Sequence, residues 1–313
     1  MYKDVRFCGL PIIKVKKTEN YEKRYFLGIQ YKTKKFTRRY DHFTEAFSEN
    51  VNGISGRNIK VILANLGEAV VYARTAAFWH KKDDLVFGVR QAHAEIFRMF
   101  APEVPVFFCG EARLDKPEYV NGNHFEAVLF DSDLIEMNNT KQPFLKSWEK
   151  HLKADFSTIE YKKAVISKPT EICAIKKAEA LKINLNKFVF LMPFARSVDL
   201  LPKEFWEKLE NDFKTKGYDV VYNSKMFSVE EAYVLASKAK AIVGLRSGFC
   251  DVLCELNVPQ HIIYGHNDWH GDLQPMYSFA DFPWAAHHYI SEYKLHNQSL
   301  ADIKQNILNK VEG

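Results

Sequence analysis

A short turn, Asn65-Leu-Gly-Glu68, separates the apolar run Ile59–Ala64 from a second apolar stretch, Ala69–His80. The first run reads as a buried strand and the second as a helix. Glu68 therefore falls at the carboxyl end of a strand, where open α/β sheets hold their ligands. A carboxylate there can take the proton of a hydroxyl as a general base, with Asn65 and Gly67 shaping the turn beneath it. The plainer role is an acid at a helix start, stabilised by the macrodipole. Arg246-Ser247-Gly248 follows another apolar run, Ala241–Leu245, and precedes a helical pattern through Leu256. Unpaired amides at a helix start, a glycine that permits close approach and a guanidinium fork suit a diphosphate. The alternative is a simple N-cap with Arg246 paired to Asp251 one turn on. Arg196 and Ser197, after Phe188–Met192, repeat the arrangement and form a second phosphate candidate.

Other polar residues carry less. Glu231 closes a capping box, Ser228-x-x-Glu231. With Asp251 it is a candidate contact for a ribose or base. Lys203, in a helix first turn, reads as exposed. Cys250-x3-Cys254 has no second Cys or His pair to complete a zinc site. His266-x3-His270 could grip a metal on a helix, though Gly265 and Gly271 favour a loop. Asp131-Ser-Asp133, after a strand-like run, has the spacing of a metal–nucleotide carboxylate pair and stays open, although the sequence around it does not fit that use. No metal and no bound cofactor are expected.

The elements that must position these groups alternate strand and helix. Strand-like runs occur at 59–64, 84–89, 104–108 and 127–130, with a helical pattern at 93–100. Residues 148–187 are lysine-rich and mainly helical or linking. A second series follows: strands at 188–192, 219–222, 241–245 and 261–264, and helices at 202–216, 228–238 and 247–256. An amphipathic helix at 299–311 ends it. Alternation of this kind specifies doubly wound, largely parallel sheets. The divisions are a basic N-terminal β-hairpin arm at 1–56 attached to the first domain, and Rossmann-like domains at 57–165 and 166–290. A C-terminal helix at 291–313 is free to cross back to the first domain.

The chain has 313 residues, 47% of them hydrophobic, with 44 Lys and Arg against 39 Asp and Glu. That composition excludes fibrous and disordered classes. The five cysteines are scattered, and no run approaches the ~20 apolar residues that span a bilayer. A cytoplasmic protein without a secretory signal is expected. Residues 1–40 hold 12 Lys and Arg against 3 Asp and Glu. Such an arm suits an anionic partner. It contains an internal echo: Phe7–Lys17 resembles Tyr25–Lys35, each running from an aromatic through Gly into apolar and basic residues. Two strands joined near Thr18-Glu-Asn20 make a hairpin, with Pro11 confining the first strand to an edge. No nucleic-acid motif accompanies the arm, so a nucleic-acid-binding module is the weaker alternative.

Two segments carry a family resemblance. Val61–Val71 resembles the opening strand and Gly-x-Leu-Gly-Asp turn of the ADP-heptose:lipopolysaccharide heptosyltransferases (glycosyltransferase family 9), with Glu68 where that family has Asp. Ala241–Pro259 is similar to the family's block around Asp-Ser-Gly, with Arg246 in place of Asp and Asp251 in place of His. Phe188–Phe194 matches the intervening strand, with Met192-Pro193-Phe194 replacing His-Pro-Gly. The family's Lys-Arg-Trp segment is replaced by Leu201–Trp206. The resemblance covers roughly residues 58–265 and is to a divergent branch associated with bacterial surface polysaccharides. It implies a GT-B fold, two Rossmann-like domains facing a cleft, and an inverting glycosyltransferase that uses a nucleotide-diphosphate sugar. It implies Glu68 as base and Arg246, Ser247, Gly248, Arg196 and Ser197 around the leaving diphosphate. The expected acceptor is a lipid-linked oligosaccharide or capsular glycan. The enzyme would then work peripherally at the cytoplasmic face of a bacterial inner membrane, held to anionic lipid by residues 1–40. A nucleotide-sugar epimerase on the same fold is the alternative.

Overall fold

The structure, a computed structural model, describes residues 2–7, 10–17, 21–26, 29–35, 58–62, 65–89, 91–108, 118–120, 123–128, 142–195, 198–223, 226–265, 278 and 280–312. Strands β1 (Tyr2–Phe7), β2 (Leu10–Lys17), β3 (Tyr21–Phe26) and β4 (Ile29–Lys35) form a four-stranded antiparallel sheet in sequence order. The arm is thus two hairpins, not one. The two Gly of the echo, Gly9 and Gly28, lie outside the described residues. Strand β2 is interior, not an edge. Its pairing with β3 starts only at Ile13, so Pro11 faces a single neighbour and needs no donor on the other side.

The first α/β unit comprises β5 (Asn58–Ile62), α1 (Leu66–Asp83), β6 (Val86–Val89), α2 (Gln91–Phe100), β7 (Val106–Phe108), β8 (Glu118–Val120) and β9 (Asn123–Val128). Its five-stranded sheet runs β7-β6-β5-β9-β8, parallel except for β8. Two helices, α3 (Phe144–Leu152) and α4 (Lys168–Ala180), follow. Ser167 caps α4 by accepting from the Thr170 amide, with Pro169 in the first turn, where a missing N–H costs nothing.

The second unit contains β10 (Phe188–Met192), α5 (Lys203–Thr215), β11 (Asp219–Tyr222), α6 (Val229–Ala236), β12 (Ala241–Leu245), α7 (Gly248–Leu253), β13 (Gln260–Tyr264), β14 (Ile290–Lys294) and α8 (Leu300–Glu312). Its parallel sheet runs β11-β10-β12-β13-β14. Strand alternation divides the core. Val189, Leu191, Val243 and Ile263 pack with Phe205, Leu209 and Phe213 of α5 and Ile303 and Ile307 of α8. Phe188, Phe190, Met192, Ile242 and Ile262 share one continuous core with α6, α7, α1 and α2. The two α/β units are therefore joined by buried apolar surface. Helix α8 stays on the second unit instead of crossing back. Its apolar stripe is taken up by that sheet, and Lys304 pairs with Asp212 of α5 at 2.6 Å.

His261 sits in this second core, 1% exposed, with Nδ1 3.1 Å from the Tyr293 hydroxyl. Burial, helped by nearby Lys310, pushes its pKa down to about 4. The folded state thus refuses a proton that the unfolded chain accepts below about pH 6.5. Stability from this group is complete above that value and drains away as pH falls toward 4. The loss amounts to about 3 kcal/mol. Chemical denaturation between pH 7 and 4 should show this decline. His261→Phe should flatten it, and an unchanged slope in that variant would remove His261 as its source.

Candidate active site

In each parallel sheet the chain reverses direction beside a central strand. From β5 it proceeds to β6 and β7 on one side and returns to β9 on the other. From β10 it goes to β11, then returns to β12 and β13 on the opposite side. Such switch points open a crevice at the strands' carboxyl ends. The turn 65–68 follows β5, residues 196–197 follow β10 and residues 246–248 follow β12. The turn 65–68 and residues 246–248 therefore flank the two switch points.

The segments 65–68 and 246–251 also meet. Helices α1 and α7 touch at their N-termini through Gly67 and Gly248. A methyl group at position 248 would stand 2.4 Å from the Gly67 nitrogen, and one at position 67 would stand 2.6 Å from Asp251 Oδ2. Only glycines permit this approach. It brings two segments separated by some 180 residues of chain into one place.

Within the site, Glu68 is the third residue of α1. Its Oε2 accepts the Asn65 amide at 2.5 Å, the carboxylate half of a capping box. The side chain is half-buried, so this bond fixes it at the crevice without sealing it off. Arg246 lies against Asp251: Nη1 donates to Oδ2 at 2.7 Å and Nη2 to Oδ1 at 2.9 Å, while Nη1 also reaches the Ser247 carbonyl at 2.7 Å. The bidentate pair anticipated as the plainer reading is present. Burial works against the Arg246 charge, but the Asp251 carboxylate outweighs it, and the guanidinium pKa is raised further. The pairing fixes the plane of the fork and occupies Asp251, which was a candidate ribose contact. Ser247 occupies the N-cap position of α7, and Cys250 and Cys254 are buried on that helix.

Glu231 is likewise engaged. It accepts the Ser228 amide at 2.9 Å and pairs with Lys177 of α4 at 2.7 Å. Burial alone would raise its pKa, but Lys177 and the Ser228 amide hold it below the usual carboxylate value. Lys203 is exposed and paired with Glu207. Arg196, Ser197, Asp131, Asp133 and the stretch 266–270 lie outside the described residues. Among the described residues, no group of three or more His, Cys, Asp or Glu is placed to hold a metal ion.

One group near the site escapes motif reading. Arg74 of α1 and Glu255, just after α7, form an ion pair of 2.9 Å whose side chains are 1% and 6% exposed. Glu255 Oε1 also accepts the Tyr233 hydroxyl at 2.7 Å and the Ala164 amide at 2.9 Å. The Arg74 guanidinium lies over the Phe100 ring, 4.0 Å from its centroid. This network crosses the same α1–α7 junction that holds Gly67 against Gly248. The signal for it is a lone charge in each of two apolar runs: Arg74 within Ala69–Trp79, and Glu255 within Val252–Tyr264.

No protein-family model matches the chain, and no curated protein does. Solved structures do. The glycosyl transferase family 9 protein from Veillonella parvula DSM 2008 superposes with a TM-score of 0.54 at 9% identity, covering 83% of this chain and 97% of that one. The iron-containing dodecameric glycosyltransferase TibC from enterotoxigenic E. coli H10407 gives 0.51 at 14% identity, covering 93% of this chain and 82% of that one. The heptosyltransferase TibC in complex with ADP-D-beta-D-heptose gives 0.50 at 13% identity over the same shares. The chain has the fold of these glycosyltransferases, the GT-B type.

Proposed function

We propose that this chain, folded as the family 9 glycosyltransferases are, moves a sugar from a nucleotide-diphosphate donor to a hydroxyl of an oligosaccharide acceptor. The observation that carries the reading is the convergence of Asn65–Glu68 and Arg246–Asp251 beside the switch points of two doubly wound sheets. The neighbour solved with ADP-D-beta-D-heptose supports a nucleotide sugar as donor. Residues 57–165 form the acceptor side of this reading, and residues 166–290 the donor side.

In the proposed step the acceptor oxygen attacks the anomeric carbon in line with the leaving group. The acceptor O–H proton passes to Glu68. The bond from the anomeric carbon to the diphosphate oxygen breaks, its electron pair leaves with the nucleoside diphosphate, and the configuration inverts. Arg246, with the Ser247 and Gly248 amides and Arg196 and Ser197, meets the charge that grows on the diphosphate. Asp251 holds the Arg246 fork in one plane, so its electrostatic work needs little reorganisation at the moment of reaction. The acceptor is a lipid-linked or capsular glycan. The enzyme works at the cytoplasmic face of a bacterial inner membrane, with residues 1–40 on anionic lipid. No helix among the described residues is long and apolar enough to cross a membrane, which suits peripheral attachment.

A thermal-shift panel of UDP, GDP, ADP and CMP tests the donor reading. A nucleotide at 100 times its dissociation constant should add about 2.7 kcal/mol of stability. Absence of a shift with every nucleoside diphosphate would count against a glycosyltransferase. Arg246→Ala should then weaken the responding nucleotide about 10- to 100-fold, the worth of a charge-assisted hydrogen bond. Arg246→Lys should restore only part, since an ammonium lacks the planar fork. Unchanged affinity in Arg246→Ala would remove Arg246 from the diphosphate site.

A further inference from the structure

The core shared by the two α/β units is built around four helices. Helices α1 and α2 belong to the first unit and α6 and α7 to the second, and they pack in two pairs, α1 on α7 and α2 on α6. The first pair carries the Gly67–Gly248 contact and the Arg74–Glu255 bridge. The second pair has a clasp of its own. Glu95 of α2 reaches the start of α6, where its Oε2 accepts the Val229 amide at 2.8 Å and the Glu230 amide at 3.3 Å. First-turn amides have no acceptor inside their own helix. Ser228 Oγ takes the Glu231 amide, so the first turn of α6 is capped half by its own unit and half by the other. Arg98, one turn along α2, pairs with Glu230 at 3.1 Å, but in solvent, where such a pair adds little.

A third contact comes from residues 282–284, which precede β14 in the second unit. Phe282 and Trp284 are buried and stack with centroids 4.6 Å apart. Phe282 meets Phe144 of α3 at 5.7 Å, and Trp284 meets Tyr161 at 4.7 Å. Helix α3 is tied to α1 in turn, with Trp148 edge-on to Tyr72 at 5.3 Å. This segment, not the C-terminal helix, is what crosses back to the first unit.

Hinge closure needs one line about which two domains turn. Turning about the α1–α7 line would part α2 from α6. Turning about the α2–α6 line would part Gly67 from Gly248 and strand the buried Arg74 and Glu255. Domains that share a small polar interface move, whereas a large apolar one holds them together. Uncovering Phe282 or Trp284 alone would disfavour an opened form by roughly 10- to 100-fold.

We propose that the two α/β units behave as one body, and that Glu95 is a positioning residue whose hold on α6 keeps Glu68 and Arg246 at one separation before any substrate arrives. The crevice is then preorganised, and transfer needs no closure of one unit on the other, the step by which many enzymes complete a site. The single body stands on the contacts alone. Its meaning for catalysis rests on the glycosyltransferase reading above.

Pulsed EPR on the full chain tests the single body. Lys81→Cys at the end of α1 and Lys208→Cys on α5 put spin labels on exposed positions of different units. Cys8, Cys109 and Cys173 are changed to Ser, while Cys250 and Cys254 are buried. Without ligand the distance should be single and no broader than that of a Lys208→Cys, Lys240→Cys pair within the second unit. Saturation with whichever of UDP, GDP and ADP binds should leave it in place. Two distances, a broader distribution or a shift with nucleotide would overturn the single body. If none of the three binds, the glycosyltransferase reading fails, and the distribution without ligand still judges the single body. Hydrogen exchange tests Glu95. Glu95→Ala should speed exchange about 2- to 30-fold, the worth of a helix cap, at Val229 and Glu230 and also at Ala69 and Val70 across the junction. Glu95→Gln, which keeps an acceptor oxygen, should reverse both. Acceleration confined to α6 would make Glu95 a local cap. Equal acceleration at the central β12 amides would make it a general stabiliser. Either result would overturn its positioning role.

Discussion

Glu68→Gln should preserve the fold and nucleoside-diphosphate binding while removing about 10²- to 10⁴-fold of the turnover, the usual worth of general acid–base catalysis. The substitution separates the two roles of this residue. Glu68 accepts the Asn65 amide, and a glutamine oxygen can do the same, since capping boxes take Glu or Gln equally. The cap therefore survives, and only the capacity to receive a proton is lost. Melting temperature and nucleotide affinity close to the parent's, with a depressed single-turnover rate, identify a base. A rate within a few-fold of the parent's would leave Glu68 as a helix cap and nothing more. A fall in stability with no change in rate per folded molecule would say the same.

Glu255→Ala should cost about 3–5 kcal/mol of unfolding free energy, the penalty for removing one partner of a buried ion pair. Arg74 would remain in the core, 4% exposed, without its carboxylate. The Tyr233 hydroxyl and the Ala164 amide would lose their acceptor at the same time. Glu255→Gln, which keeps an acceptor oxygen, should cost less. Arg74→Met together with Glu255→Leu should recover much of the loss, because a buried pair replaced by apolar groups of similar volume is often near neutral. Urea titration measures all three. Glu255→Ala within 1 kcal/mol of the parent would mean that water reaches the site and that the pair does not hold α1 to α7. The variant also tests the site indirectly, because the pair crosses the junction that presses Gly67 against Gly248.

Much of the architecture was legible without coordinates. The strands at 188–192 and 241–245 coincide with the observed ones, because fully buried parallel strands are continuous apolar runs bounded by turns; the strand at 219–222, a partly buried edge strand, coincides as well. The capping box at Ser228 was readable because its chemistry is local. Strand β14, Ile-Ser-Glu-Tyr-Lys, was not. It is an edge strand of mixed polarity, held by its pairing with β13. The division of the arm into two hairpins was not legible either, because apolar and basic residues follow one another in sequence through all four strands. Only the register distinguishes a strand residue from a connection.

What the sequence determined by itself is what short-range physics governs: the alternation of strand and helix, the helix caps, the duplicated basic arm and the candidate polar turns at 65–68, 196–197 and 246–251. What only the tertiary structure decided is which of those groups meet and which are already engaged. Arg246 has its fork on Asp251, Glu231 has Lys177, and Gly67 lies against Gly248. The last two contacts join residues more than fifty positions apart. Their geometry depends on the stacking of α1 on α7 and of α4 on α6, which no local pattern encodes. Arg246 and Asp251 are close in sequence, yet their pairing in preference to solvent follows from the burial that the α1–α7 contact imposes.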